Sequence, residues 1–202
     1  MAILSFILSW LPAHARKHPF RRWHVLGAAA LLLSAPLAPA ATAPSREYQI
    51  KAVFLFNFAR FVEWPEDAFP DAAAPLIIGV LGEDPFGSVL DETVGGDQAG
   101  ARPLQVRRWQ RVEDVDTCHI LFITKSQAAN VESIFTHLKG RSVLTVSDAD
   151  GPTRHGPMIR LVNENNRIRL KINLEAARAA RLVISSKLLR PAIIVSDKGG
   201  DT

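Results

Sequence analysis

Cysteine is nearly absent from this 202-residue chain, with Cys118 standing alone. An internal disulfide framework and a cysteine-rich metal site are thereby excluded. The body of the chain also lacks a charge excess. There are 24 basic and 20 acidic side chains, but Arg16, Lys17, Arg21 and Arg22 precede residue 44 in a stretch without acids, leaving twenty of each beyond it. A balanced body argues against a nucleic-acid-binding domain. The familiar enzyme motifs are missing too. Gly140-Arg141-Ser142-Val143-Leu144 has leucine where the second glycine of a nucleophile elbow belongs. There is no G-x-G-x-x-G, Walker loop or H-E-x-x-H. Asp148-Ala149-Asp150-Gly151 opens like a calcium loop, but its glycine comes too early and Ile159 occupies the position of the bidentate glutamate. His119, His137 and His155 are scattered. No metal, no cofactor and no catalytic residues are expected.

The amino-terminal segment has the composition of a secretory leader. Arg16 to Arg22 is a basic patch, Val25 to Leu37 is a short apolar run, and Ala38-Pro39-Ala40 and Ala41-Thr42-Ala43 offer small-residue cleavage sites. We expect a signal peptide over 1–43 with cleavage near 40 or 43, a domain over 44–195 and a polar tail over 196–202. About 159 residues remain beyond the leader, enough for one well-buried domain. No lipid-attachment cysteine follows the apolar run, so a soluble exported protein is expected.

The first segment of the body, Glu47 to Trp64, reads as a helix with apolar groups all round, closed by Pro65. Such a helix is either buried centrally or pairs with a partner. Phe54, Phe56, Phe61 and Trp64 are the candidate contact residues. Leu76 to Leu81 and Ile120 to Ile123 are continuous apolar runs, the pattern of strands buried on both faces. Leu104 to Arg108 and Val143 to Val146 read as further strands. Helices are predicted over Phe86 to Val94, Gln127 to Lys139, Leu174 to about Arg181 and Ser186 to Arg190. Met158 to Val162 and Arg167 to Ile172, separated by Asn163-Glu164-Asn165-Asn166, read as an antiparallel hairpin. Asn173 is placed to cap the helix that follows. The fold class is α/β, a mostly parallel sheet flanked by helices with an antiparallel hairpin at one end.

In such sheets, ligands sit beyond the carboxyl ends of the strands. Gly82, Asp84, Ser126, Ser147 and Asp148 lie in loops expected on that edge and are the candidate ligand residues. Ordinary turn chemistry is the favoured account of these residues.

The ordered motifs resemble one family. Tyr48-x-x-Lys51-Ala52-x-Phe54-Leu55-x-Asn57-Phe58-Ala59-x-Phe61-Val62-Glu63-Trp64-Pro65 is similar to the opening motif of the YfiR family of periplasmic regulators. Val80-Leu81-Gly82-x-Asp84-Pro85-Phe86-Gly87, Cys118 to Ile123, Leu144 to Asp148, Ile172-Asn173-x-x-Ala176-Ala177 and Ile184-Ser185-Ser186-x-Leu188-Leu189 continue the resemblance. Arg181 stands where glycine is common in the family, Pro191 where leucine is common, and Cys118 lacks the partner cysteine that some members have. The resemblance implies a regulator rather than an enzyme. It implies a homodimer that binds the periplasmic sensor domain of an inner-membrane diguanylate cyclase, lowers cyclic-di-GMP and so influences biofilm formation. An OmpA-like outer-membrane lipoprotein is the implied sequestering partner. The alternative reading is a periplasmic small-molecule-binding module.

Overall fold

The first helix ends one turn earlier than its apolar sequence predicts. In the computed structural model, which describes residues 45–149 and 156–196, α1 spans Arg46–Phe61. Pro65 disfavours helical backbone at Trp64, and Val62–Glu63 instead forms β1, paired antiparallel with β9, Val183–Ile184. The expected leader and most of the expected tail lie outside the described residues.

Eight strands form the main sheet: β2 (Leu76–Leu81), β3 (Gln98–Ala99), β4 (Arg102–Trp109), β5 (Ile120–Ile123), β6 (Leu144–Ser147), β7 (Ile159–Glu164), β8 (Arg167–Asn173) and β10 (Ile193–Val195). Their spatial order is β10-β8-β7-β6-β5-β2-β4-β3. All neighbouring pairs are parallel except the β7–β8 hairpin and the short β3–β4 pair. The α/β class, mostly parallel, is therefore what the chain adopts. β2, β5 and β6 are buried along their whole length, as continuous apolar runs between two layers must be. Asn165 and Asn166 both take positive φ, 53° and 60°, which turns the chain between β7 and β8.

The remaining helices are α2 (Ser88–Val94), α3 (Val131–Leu138), α4 (Leu174–Ala179) and α5 (Ser186–Leu189). A 3-10 turn over Lys125–Asn130 occupies the first part of the predicted Gln127 to Lys139 helix. α2 starts two residues later than predicted, because Asp84 Oδ1 accepts the Phe86 N–H and holds a turn there, 2.7 Å. The Asn173 side chain accepts the Ala176 N–H, 3.0 Å, as the capping expectation requires. After α4, Arg181 adopts φ 60°, the left-handed conformation that favours glycine after a helix.

Two apolar cores result. One joins Ala52, Leu55 and Phe58 of α1 to Ile78, Val80, Phe122, Val146, Ile159, Leu170 and Ile172 of the sheet. The other, on the opposite face, joins Leu81, Leu121 and Ile123 to Val112, Val115, Ile134 and Leu138. In the strand register Leu81 stands beside Ile123, and Ile123 beside Ser147. The carboxyl ends of β2, β5 and β6 therefore align on one edge.

Candidate functional site

The loops beyond that edge are tied to one another. Gly82 has φ 98°, and a Cβ there would stand 2.4 Å from the Ser126 hydroxyl, so only glycine fits. The Thr124 hydroxyl donates to the Leu81 carbonyl, 2.9 Å. The Ser126 hydroxyl lies 2.8 Å from Thr124 Oγ1 and accepts the Glu83 N–H at 3.0 Å. The Ser147 hydroxyl donates to the Ile123 carbonyl, 2.8 Å, and accepts the Ala149 N–H, 3.1 Å. Asp84 Oδ2 accepts from Arg108 Nε, 2.6 Å. Gly82, Asp84, Ser126 and Ser147 thus come together on one edge as predicted, with their polar atoms engaged in closing the loops.

Asp148 is different, because α1 reaches it. The first two turns of α1 lie over the strand ends, and Asp148 Oδ2 accepts from the Tyr48 hydroxyl at 2.9 Å and from the Lys51 ammonium at 2.5 Å. Both side chains of the Lys51–Asp148 pair are only 1% exposed. Glu47 closes the other side of the ammonium and also accepts from Asn163 of β7, 2.7 Å. The bond to Lys51 is the chief reason the Glu47 carboxyl titrates below the usual range. Burial, reinforced by the negative charge of Asp148, pushes the Tyr48 phenol well above its ordinary value, so it remains a donor. The Tyr48 ring meets Phe86 edge-on at 5.4 Å, and Phe86 meets Phe122 at 4.9 Å. Asp148 Oδ1 is buried without a hydrogen-bond partner among the described residues. The strand-end crevice is filled by the protein's own first helix.

Lysine is rarely buried, and Lys51 was not singled out by its residue type. The available signal was its spacing. Lys51, Leu55 and Phe58 recur at i, i+4 and i+7, so they share one helix face, and all three are buried.

The outer face of α1 carries Ile50 and Val53, 38% and 48% exposed, with Val183 of β9 60% exposed. Phe54, Phe56, Phe61 and Trp64 are half-buried and pack against the core beneath. The Arg60 guanidinium lies 5.6 Å from the Phe56 ring and the Lys187 ammonium 5.1 Å from Phe61.

Trp64 belongs to a second cluster at the opposite end of the strands. Its Nε1–H donates to the His119 carbonyl, 3.2 Å. His119 Nδ1 accepts the Ile77 N–H at 3.0 Å, so the proton sits on Nε2, which donates to the Ala68 carbonyl at 3.2 Å. Phe69 stacks on the imidazole at 4.3 Å, and the Arg102 guanidinium lies 3.7 Å from the Phe69 ring. Burial lowers the His119 pKa, so the ring is held neutral. Cys118 beside it is free and buried, with burial pushing its thiol up to about 12. A separate groove of about 460 Å³ is lined by residues including Phe135, Leu138, Val143, Met158 and Ala176.

The motif fragments that carry the family resemblance are thus joined in space: Tyr48 and Lys51 to Asp148, and Trp64 to His119. A family model described as YfiR/HmsC-like matches residues 48–192. The chain belongs to the YfiR/HmsC-like family. No curated protein matches it at a significant level. Membership assigns it to a group of periplasmic regulators of diguanylate cyclases. Among the described residues, no helix is long and apolar enough to cross a membrane. No group of three or more His, Cys, Asp or Glu side chains among them could hold a metal ion. His155 lies outside the described residues.

Proposed function

We propose that the protein is an exported repressor that binds the periplasmic sensor domain of an inner-membrane diguanylate cyclase and lowers cyclic-di-GMP output, without chemistry of its own. The observation that carries this reading, beside family membership, is the apolar outer face of α1. Ile50 and Val53 are exposed there on the same helix as half-buried Phe54, Phe56 and Phe61, and Val183 of β9 is exposed as well. Large exposed apolar side chains mark contact surfaces when they cluster. Beneath them, the polar groups of the helix are engaged in the Lys51–Asp148 network, which fixes the helix so that its outer face is presented rigidly. Rigidity limits the ordering that binding demands. Repression follows if the surface binds the inactive form of the sensor domain more tightly than the active form, by an amount that sets the population shift. Homodimer formation and sequestration by an OmpA-like outer-membrane lipoprotein complete the proposal, and both rest on the family alone.

Deleting the gene in a strain carrying the cognate cyclase should raise cyclic-di-GMP, and re-expression should restore it. Unchanged cyclic-di-GMP in that deletion would refute the proposal. The alternative small-molecule reading has its physical support in the α3–β6–α4 groove rather than in the strand-end loops, whose hydroxyls are engaged. Ligand-dependent thermal stabilisation across a metabolite panel would register it.

A further inference from the structure

The sheet is covered unevenly. One face packs against α1, α2, α4 and α5. On the other, the apolar cluster that includes α3 draws no residue from β7, β8 or β10. Strand pairing fixes what that second face displays. Leu121 and Ile123 point into the second core, and Thr145 and Ser147 are their register partners on β6. Arg160 is level with Ser147, Lys171 with Arg160, and Ile193 with Lys171. Side chains on register-paired residues share a face. The next rows of that face hold Val162 with Arg169, then Glu164 with Arg167. Four cations and one carboxylate therefore occupy the surface that the described residues of β7, β8 and β10 expose.

Arg167 and Arg169 are exposed and Lys171 is half-exposed. Among the described residues none of these three forms an ion pair, whereas Arg107, Arg108, Arg111 and Arg181 each do. The charge balance of the body as a whole means that this positive field is local. Apolar groups are set among the cations: Ile193 is 45% exposed, and Val162 and Val195 are half-buried.

We propose that this face docks onto an anionic phospholipid surface. Charge complementarity names the partner. The cations repeat about every 7 Å along β8, on a sheet face rather than in a cavity. A plane of phosphate headgroups matches that arrangement without needing a shaped counterpart. The neighbouring isoleucine and valines suit the boundary between headgroup and acyl chain. Each basic side chain near such a surface strengthens adsorption roughly five-fold, so Arg167, Arg169 and Lys171 together give reversible, salt-sensitive binding rather than anchoring. The inference does not depend on the cyclase reading, although a regulator held at the membrane would search for a membrane protein in two dimensions.

The test is co-sedimentation of the purified mature chain, from residue 44 on and so without the basic and apolar leader, with phosphatidylcholine vesicles, with and without phosphatidylglycerol. Binding should require phosphatidylglycerol and weaken as salt rises. Arg167→Glu and Arg169→Glu should each reduce it at least about five-fold, while Arg190→Glu, at the C-cap of α5, should bind like the parent. Thermal melts establish that each variant is folded. Absence of phosphatidylglycerol-dependent binding by the parent overturns the proposal. So does an equal loss with Arg190→Glu. If vesicles fail to bind while Arg169→Glu weakens capture of the cyclase sensor domain, the face serves a protein and the lipid assignment is wrong.

Discussion

Lys51, in the second turn of α1, and Asp148, at the carboxyl end of β6, form a buried ion pair 97 residues apart in sequence, with 2.5 Å between Nζ and Oδ2. A buried pair of this kind gives little net stability over an apolar substitute, because both ions lose their hydration. Removing one member alone is far more damaging, since the survivor remains buried and uncompensated. Lys51→Met should therefore destabilise the protein by about 3–5 kcal/mol. Adding Asp148→Asn should recover part of that loss, because the amide retains an acceptor for the Tyr48 hydroxyl and carries no charge. Urea unfolding of the two single variants and the double variant measures the coupling. A double variant less stable than Lys51→Met would contradict the assignment.

His119 gives a separate pH dependence, with a sign set by its burial. Its folded pKa is lowered from 6.5. The Ala68 carbonyl bond opposes that shift, and the Arg102 charge adds to it. Below pH 6.5 the unfolded chain therefore takes up a proton that the folded ring refuses. Stability is complete above that pH and falls as pH drops toward the folded pKa, by at most about 1.4 kcal/mol per pH unit. Glu47 acts in a lower window, because its depressed pKa contributes stability above its ordinary 4.5 and loses it only as pH falls further. Unfolding experiments between pH 7.5 and 5 isolate the histidine. His119→Asn keeps an acceptor for the Ile77 N–H but does not titrate, so its stability should vary less over that interval. Identical pH slopes for parent and variant would assign the dependence elsewhere.

The repression proposal makes a demand on Val53. Its side chain is 48% exposed on α1, so Val53→Asp should change stability by no more than about 0.5 kcal/mol. A carboxylate facing an apolar contact is costly to desolvate. The variant should fold and accumulate as the parent does, yet leave cyclic-di-GMP near the level of the gene deletion. Full repression by Val53→Asp would move the contact surface away from this face of α1.

Much of the sheet was legible because buried parallel strands are short and apolar. Ile120 to Ile123 and Leu76 to Leu81 coincide with β5 and β2. The hairpin was legible through Asn165 and Asn166, and the start of α4 through Asn173. The short strands were not. β9 and β10 carry Val183, Ile193 and Ile194 to the surface, so no alternation of buried and exposed residues marks them, and only pairing with distant partners makes them strands. The candidate site was half legible. Loops on one strand edge follow from α/β topology, but the helix that fills the crevice acts through a lysine 97 residues away from its partner, a relationship that local sequence does not encode.

Arg181 carries the last prediction. It follows α4 with φ 60°, where the Leu182 N–H returns to the Ala177 carbonyl at 2.9 Å and closes the helix end. A side chain with a Cβ pays roughly 1–2 kcal/mol for this backbone conformation. Glycine would remove that cost, although its greater freedom in the unfolded chain takes back about 0.5–1 kcal/mol. The arginine also donates to Asp67 at 2.7 Å and to Ser142 at 3.3 Å. Both members of the Arg181–Asp67 pair are more than half exposed, and pairs in that setting contribute little. The backbone effect should win, so Arg181→Gly should stabilise the protein by about 0.5 kcal/mol. Arg181→Ala supplies the control. It keeps the backbone strain and loses the contacts, so it should be slightly less stable than the parent. If both variants lose stability equally in urea, the arginine's contacts outweigh its strained backbone.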